Sequence, residues 1–255
     1  MADEVVLQER HGQVLLITLN RPDARNSVNG ELASALAATL EELDADDELR
    51  VGVLTGAGRG FSAGMDLKAF VEHGMPMIEG RGFAGIVEHS CAKPLIAAVE
   101  GFALAGGLEI ALSCDLLVAA KCARLGIPET GVGLFAGAGA LLRLPRQVPY
   151  AVAMELALTA DPIDAERGFE LGMVNRLAEP GGAVETALEL AQRVARNAPL
   201  GVAASKEILR GTAGRTEDEF WQFQQPILDA VFSSSDAVEG ATAFAEKRPP
   251  EWKGR

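Results

Sequence analysis

Four short apolar runs, Val14–Leu19, Val51–Thr55, Leu95–Val99 and Leu116–Ala120, limit what this chain can fold into more than any other feature. Each is rich in strand-favouring residues, and the first ends in the turn cluster Asn20-Arg21-Pro22-Asp23, so each reads as a β-strand. Between the first two, Asn29 stands at the start of a helix with Glu31 in its first turn and Leu32, Leu36, Leu40 and Leu43 on one apolar stripe. The segment Gly56–Gly64 is dense in glycine, and residues 66–92, with Gly74, Gly80, Gly82 and Gly85, read as a helix start followed by a mobile loop. From Ala138 onward the pattern turns mostly helical, punctuated by Pro145, Pro149, Pro162, Pro180 and Pro199. Strands alternating with helices early, and helices dominating late, predict one α/β domain with a helical C-terminal region. At 255 residues the chain is ample for a buried core.

Composition excludes several classes of function. The net charge of −13 argues against nucleic acid and anionic membrane surfaces, which require a basic footprint. Nearly half of that excess sits in Glu41–Glu48, six acids in eight residues, read as a solvated helix end. Three cysteines without CxxC pairing (Cys91, Cys114, Cys122) and three scattered histidines (His11, His73, His89) offer no metal cluster at ligand spacing. The expectation is a reduced, cytoplasmic protein, since Met1–Gln8 lacks the apolar core of a signal peptide and no run suffices to span a membrane. Glycine is high, 28 of 255 residues against a usual ~7%. Many backbone positions therefore need unusual dihedrals or close approach.

Three local motifs fail on context. Gly60-Phe-Ser62-Ala-Gly64 matches the nucleophile elbow, but several residues separate it from the preceding strand and no histidine follows His89. Gly131-Val-Gly133-Leu-Phe-Ala136 fits a dinucleotide fingerprint without a clean strand before it. Gly56-Ala-Gly58-Arg-Gly60 lacks the lysine and serine of a P-loop.

Chemistry concentrates in Gly101–Cys114, an apolar stretch with one carboxylate, Glu109. Burial there raises its pKa toward the working pH of a general acid or base; the alternative is a carboxylate paired with a buried Arg or Lys. Gly106-Gly107 opens the same helix, and Ser62-Ala-Gly64-Met65-Asp66-Leu67 offers a second glycine turn entering a helix. Two such backbone N–H donors converging on one oxygen make an oxyanion hole.

The run Ile96-Ala-Ala-Val-Glu-Gly-Phe-Ala-Leu-Ala-Gly-Gly-Leu-Glu-Ile-Ala-Leu-Ser-Cys-Asp115 closely resembles the signature of the crotonase (enoyl-CoA hydratase/isomerase) superfamily. Similarity extends along the chain through Asn20-Arg-Pro22, Arg25-Asn26, Leu54-Thr-Gly56, Phe61–Leu67, Lys93-Pro94, Gly126–Glu129 and Phe244–Pro250. The resemblance implies a spiral of ββα units over residues 1–190 and a helical oligomerisation region over 191–255, assembled as a homotrimer or a hexamer. It implies an acyl-CoA thioester substrate and no separate cofactor or metal. Met65 and Gly106 would supply the oxyanion-hole N–H groups; Glu109 and Glu129 would handle the water, Glu109 as base and Glu129 as acid. Arg25, Ala63, Asp66 and Leu67 match CoA-contacting positions, and Phe244 and Lys247 match residues that reach the CoA of a neighbouring subunit. The expected activity is enoyl-CoA hydration. An isomerase, a thioester hydrolase or decarboxylase of the same fold, and a non-catalytic acyl-CoA-binding protein are the alternatives.

Several positions depart from the best-known hydratases: Met65 for a commoner alanine, Ala105 ahead of Gly106-Gly107 where three glycines are frequent, Leu134-Phe135-Ala136 in a loop that often carries proline, and Arg25 where lysine is common. These changes are expected to bear on acyl-chain preference and to leave the thioester chemistry intact.

Overall fold

The computed structural model describes residues 4–89 and 91–255. It opens with antiparallel strands β1 (Val6–His11) and β2 (Val14–Leu19), Val6 lying opposite Leu19. A short turn at Pro22–Ala24 leads to α1 (Gly30–Ala45), where the Asn29 side chain accepts the Leu32 N–H at 3.0 Å and caps the helix. The four leucines of the α1 stripe are fully buried. Then come β3 (Val51–Gly56), α2 (Leu67–His73), the hairpin β4 (Met77–Ile78) and β5 (Gly82–Phe83), β6 (Leu95–Val99) and β7 (Phe102–Leu104). The chain continues through α3 (Gly106–Ala111), β8 (Leu116–Ala120), β9 (Arg124–Gly126), a second short turn at Pro128–Val132, α4 (Ala140–Gln147) and α5 (Tyr150–Thr159). It ends with β10 (Ile163–Asp164), α6 (Ala165–Glu170), β11 (Arg176–Ala178), α7 (Ala183–Ala195), α8 (Pro199–Gly211), α9 (Glu217–Phe232) and α10 (Ser235–Glu246).

The strands read from sequence form the centre of a six-stranded sheet ordered β1-β2-β3-β6-β8-β11, parallel except for the β1–β2 pair. Their runs are apolar throughout because both faces are covered. Ile17, Leu19, Leu54 and Val99 pack with the α1 leucines on one face. Val14, Leu16, Val53, Ile96 and Val118 pack on the other against Ala183, Ala187, Ala191 and Ala195, one small-residue stripe of α7. A second sheet, β10-β9-β7, stands beside the first, and its strand β7 feeds α3.

Residues 66–92 differ from the expected mobile loop. Apart from Ser90, which lies outside the described residues, they form α2, the β4–β5 hairpin and a turn segment that buries Phe83, Ala84, Ile86 and Val87. The glycines mark the turns of an ordered segment: Gly74, Gly80, Gly82 and Gly85 all have positive φ. At the acidic end of α1, Asp44 accepts the N–H groups of Ala92 and Lys93, each at 3.0 Å, Asp46 pairs with Arg10, and Glu41 pairs with Arg81. Lys93 Nζ donates to the carbonyls of Leu43 and Asp46, placing a cation where the helix C-terminus is electronegative. Among the described residues, no helix is long and apolar enough to cross a membrane.

Helix α8 is fastened to the turn after α3. Asp115 Oδ2 pairs with Lys206 at 2.8 Å and accepts the Leu95 N–H at 2.8 Å, while Oδ1 takes Arg210 at 2.9 Å.

Candidate active site

Helix α3 is buried at every one of its six residues. Its start is pressed against the Phe61–Gly64 segment: a Cβ on Gly107 would lie 2.2 Å from the Ser62 carbonyl oxygen, and one on Gly64 would lie 2.7 Å from Gly106 N. Only glycine permits these approaches. They set the peptide that carries the Met65 N–H beside the Gly106 N–H, and among the described residues neither N–H has an acceptor. Ala105, the residue ahead of α3, holds φ 52° and ψ −132°, a conformation strained for a side chain larger than hydrogen.

Met65 and Gly106 both line a cavity of about 360 Å³ that also receives Glu109 and Glu129. Its remaining wall is largely apolar, with Leu67, Phe70, Met75, Phe83, Leu134 and Phe135 prominent. The two carboxylates have different surroundings. Glu109 is 3% exposed, and its Oε1 accepts the N–H groups of Ala138 at 2.7 Å and Ala140 at 3.0 Å, at the N-terminus of α4. Burial leaves its pKa raised on balance, against the pull of those N–H groups and the Arg143 guanidinium. Glu129, in the Pro128–Val132 turn, is 9% exposed, and its buried Oε2 has no hydrogen-bond partner among the described residues. Burial lifts its pKa to about 7; the nearby Glu109 carboxylate adds to the rise, and the Glu129 N–H opposes it. One carboxyl is thus held by fixed donors, and its neighbour favours the protonated form.

Of the other residues singled out by sequence, Ala63 and Leu67 line the cavity. Arg25 is exposed in a left-handed conformation, and its carbonyl accepts the Ala63 N–H at 3.0 Å. The Asp66 carboxylate faces inward to its own helix: it caps α2 by accepting the Lys68 and Ala69 N–H groups, and it pairs with Arg21 at 3.0 Å. Burial works against its charge, but these partners hold its pKa below the usual range. Phe244 and Lys247, at the end of α10, do not line the cavity within this chain, and Phe244 is 88% exposed. Ser62, the serine of the elbow-like motif, is fully buried; its Oγ donates to Asn26 O at 2.8 Å and accepts the Gly64 N–H at 3.1 Å, so it braces the glycine turn. The fingerprint-like Gly131–Ala136 segment leaves a short turn and opens no helix.

Three contributors escaped the sequence reading. Phe83 covers Gly106, where an added Cβ would meet its ring at 2.7 Å. The amides of Ala138 and Ala140 carry no side-chain signal at all. Arg143 had one weak signal: it is the lone charge in the stretch Phe135–Pro145.

The sequence profile described as enoyl-CoA hydratase/isomerase matches residues 9–255. Among solved structures, an enoyl-CoA hydratase from Mycobacterium marinum is 55% identical, with a TM-score of 0.97 over 99% of this chain and 100% of that one. An enoyl-CoA hydratase from Mycobacterium tuberculosis H37Rv is 52% identical, also with a TM-score of 0.97 and the same coverage. A curated relative, carnitinyl-CoA dehydratase from Citrobacter koseri, is 41% identical over 254 residues, covering 96% of this chain and 97% of its own length. The crotonase fold with C-terminal helices, the amide-lined cavity and the matched signature agree: the chain belongs to the enoyl-CoA hydratase/isomerase (crotonase) family.

Proposed function

We propose that this protein is a hydro-lyase that adds water across the 2,3 double bond of an enoyl-CoA thioester. The observation that carries this reading is the unlike pair Glu109 and Glu129 in the cavity that also presents the Met65 and Gly106 N–H groups. With the thioester oxygen on those two donors, the negative charge that develops there during addition is met by preorganised dipoles. Glu109, oriented by two amides, takes a proton from water as the water oxygen bonds to C3. Glu129, with a pKa of about 7, holds the proton that is delivered to C2. Atoms balance: the hydroxyl goes to C3, one proton to C2 and one to Glu109, and proton exchange with solvent resets the pair. The same groups run the reverse dehydration.

The acyl-CoA would lie across Ala63 and Leu67 with its anionic end toward Arg25. Phe244 and Lys247 would serve the CoA of a neighbouring subunit in a homotrimer or hexamer. The exposed apolar side chains Phe232, Val238 and Phe244 on α9 and α10 support an assembly of that kind.

A second reading is dehydration of an acyl-CoA whose chain carries a quaternary ammonium. The carnitinyl-CoA dehydratase relative and the three rings Phe70, Phe83 and Phe135 in the cavity wall favour it, because aromatic faces attract such cations. Loss of the conjugated absorbance of crotonyl-CoA, followed alongside dehydration of carnitinyl-CoA, separates the two readings by kcat/KM. Glu109→Gln and Glu129→Gln should each lower the favoured reaction by roughly 10²–10⁴-fold. Isomerisation of 3-enoyl-CoA esters with no hydration of 2-enoyl-CoA esters would refute the hydro-lyase reading.

A further inference from the structure

Arg143 stands on the first turns of α4, half-buried, behind the backbone that holds Glu109. Its guanidinium donates to Val87 O and, at 3.5 Å, to Ala138 O. It lies so close to Gly139 that a Cβ on that residue would sit 2.0 Å from Nη1, and Gly139, with φ +104°, is the residue between the two amide donors. The Arg143 N–H in turn donates to Gly139 O at 3.0 Å. One side chain therefore grips the Ala138–Ala140 segment from behind and ties it to the Phe83–Val87 turn, while the two N–H groups in front converge on Glu109 Oε1. Phe83, in that same turn, covers Gly106.

We infer that Arg143 is a positioning residue: by bonding both the Ala138 and Val87 carbonyls its guanidinium fixes the segment whose two amides aim Glu109, and it sets a permanent positive charge behind that carboxylate. This rests on the proposed role of Glu109 as base. The groups facing Arg143 are few. Glu109 approaches from α3, the Cys114 thiol from the turn after α3, Arg210 from α8, and Arg146 from its own helix. Glu129 faces Glu109 from the other side. Glu109 is the one carboxylate in this set that faces the guanidinium, so removing the arginine removes a cation that favours the ionised form of Glu109.

The test is a pH profile of kcat/KM and kcat for crotonyl-CoA hydration by wild type, Arg143→Gln and Arg143→Lys. In Arg143→Gln the acid limb should move up by about one pH unit, with kcat down roughly 10–100-fold from the loosened base and KM altered less than about threefold. Arg143→Lys keeps the charge without spanning both carbonyls, so its acid limb should stay near the wild-type position while kcat still falls. A folded Arg143→Gln whose acid limb does not move overturns the inference, since loss of packing alone would scale the whole profile. If Arg143→Gln does not fold, Arg143→Met, which fills much of the same space without the charge, is read on the same limb: an unmoved acid limb overturns the role, and a limb raised by about one pH unit supports it. A wild type that hydrates no 2-enoyl-CoA removes the acid–base reading and this inference together. An active wild type with unmoved variant profiles removes the inference alone.

Discussion

Glu129→Gln should make the protein more stable at alkaline pH while disabling it. The side chain titrates near its ordinary 4.5 in the unfolded chain and at about 7 in the folded protein. Between those values the folded state binds more protons than the unfolded state, so stability falls as pH rises from 4.5 and is lowest once Glu129 is ionised in both states. At about 1.4 kcal/mol per pKa unit the full cost is about 3 kcal/mol. Relaxation of the surroundings around the ionised group lowers this, and the expected cost is about 1–2 kcal/mol. Glutamine has nearly the same shape and cannot ionise, and Oε2 has no hydrogen bond to lose. For a chain of this size the gain corresponds to a Tm rise of roughly 2–4 °C at pH ~8.5, shrinking toward zero at pH ~4.5. Thermal unfolding of wild type and variant at both pH values, at equal protein concentration, measures it. No gain at the higher pH would refute the picture of an uncompensated buried carboxyl. An equal gain at both would show that packing, not ionisation, is responsible.

Three further outcomes follow from local geometry. Ala105→Gly should relieve the backbone at φ 52° and raise the unfolding free energy by about 1 kcal/mol; a loss of stability in denaturant titration would show that the alanine conformation is not strained. Asp115→Ala should cost about 3 kcal/mol, because it leaves Lys206, whose side chain is 9% exposed, as a mostly buried cation without its counter-charge; a cost below about 1 kcal/mol would mean the α8 anchor is slack. Lys247→Ala should raise the KM for enoyl-CoA esters more than it lowers kcat, since it removes remote binding; an unchanged KM would contradict its proposed contact with CoA.

What was legible in the sequence is what local pattern controls. The four central strands were readable because a sheet covered on both faces needs unbroken apolar runs, and the α1 stripe because Asn29 and four leucines at helical spacing announce a cap and a buried face. β1 was not, since only Val6 is buried and the next four residues are exposed, which leaves no alternation to detect. The segment after Asp66 was misread for a related reason: its order comes from long-range burial of Phe83, Ile86 and Val87, while its glycines signal only turns.

The site divides along the same line, and the division bears on mechanism. Gly64, Gly106, Glu109 and Glu129 stand in recognisable local motifs, whereas Phe83 reaches the cavity, and the Ala138 and Ala140 amides and the Arg143 charge reach Glu109, only through packing. From sequence, Glu109 posed a choice between a desolvated carboxyl and one compensated by a buried cation. In the structure both conditions act on it: burial raises its pKa, and two amides and Arg143 counter the rise. Glu129 is buried too, yet it has an unpartnered oxygen and a neighbouring carboxylate instead of a cation. Burial raises the pKa of both glutamates, but Glu109 has fixed donors and a cation that oppose the rise, whereas a neighbouring carboxylate adds to it at Glu129. The residues that separate them are the ones with no motif of their own, so under the proposed mechanism the motif glutamates would mark where the chemistry occurs, and the packing would decide which one starts with the proton.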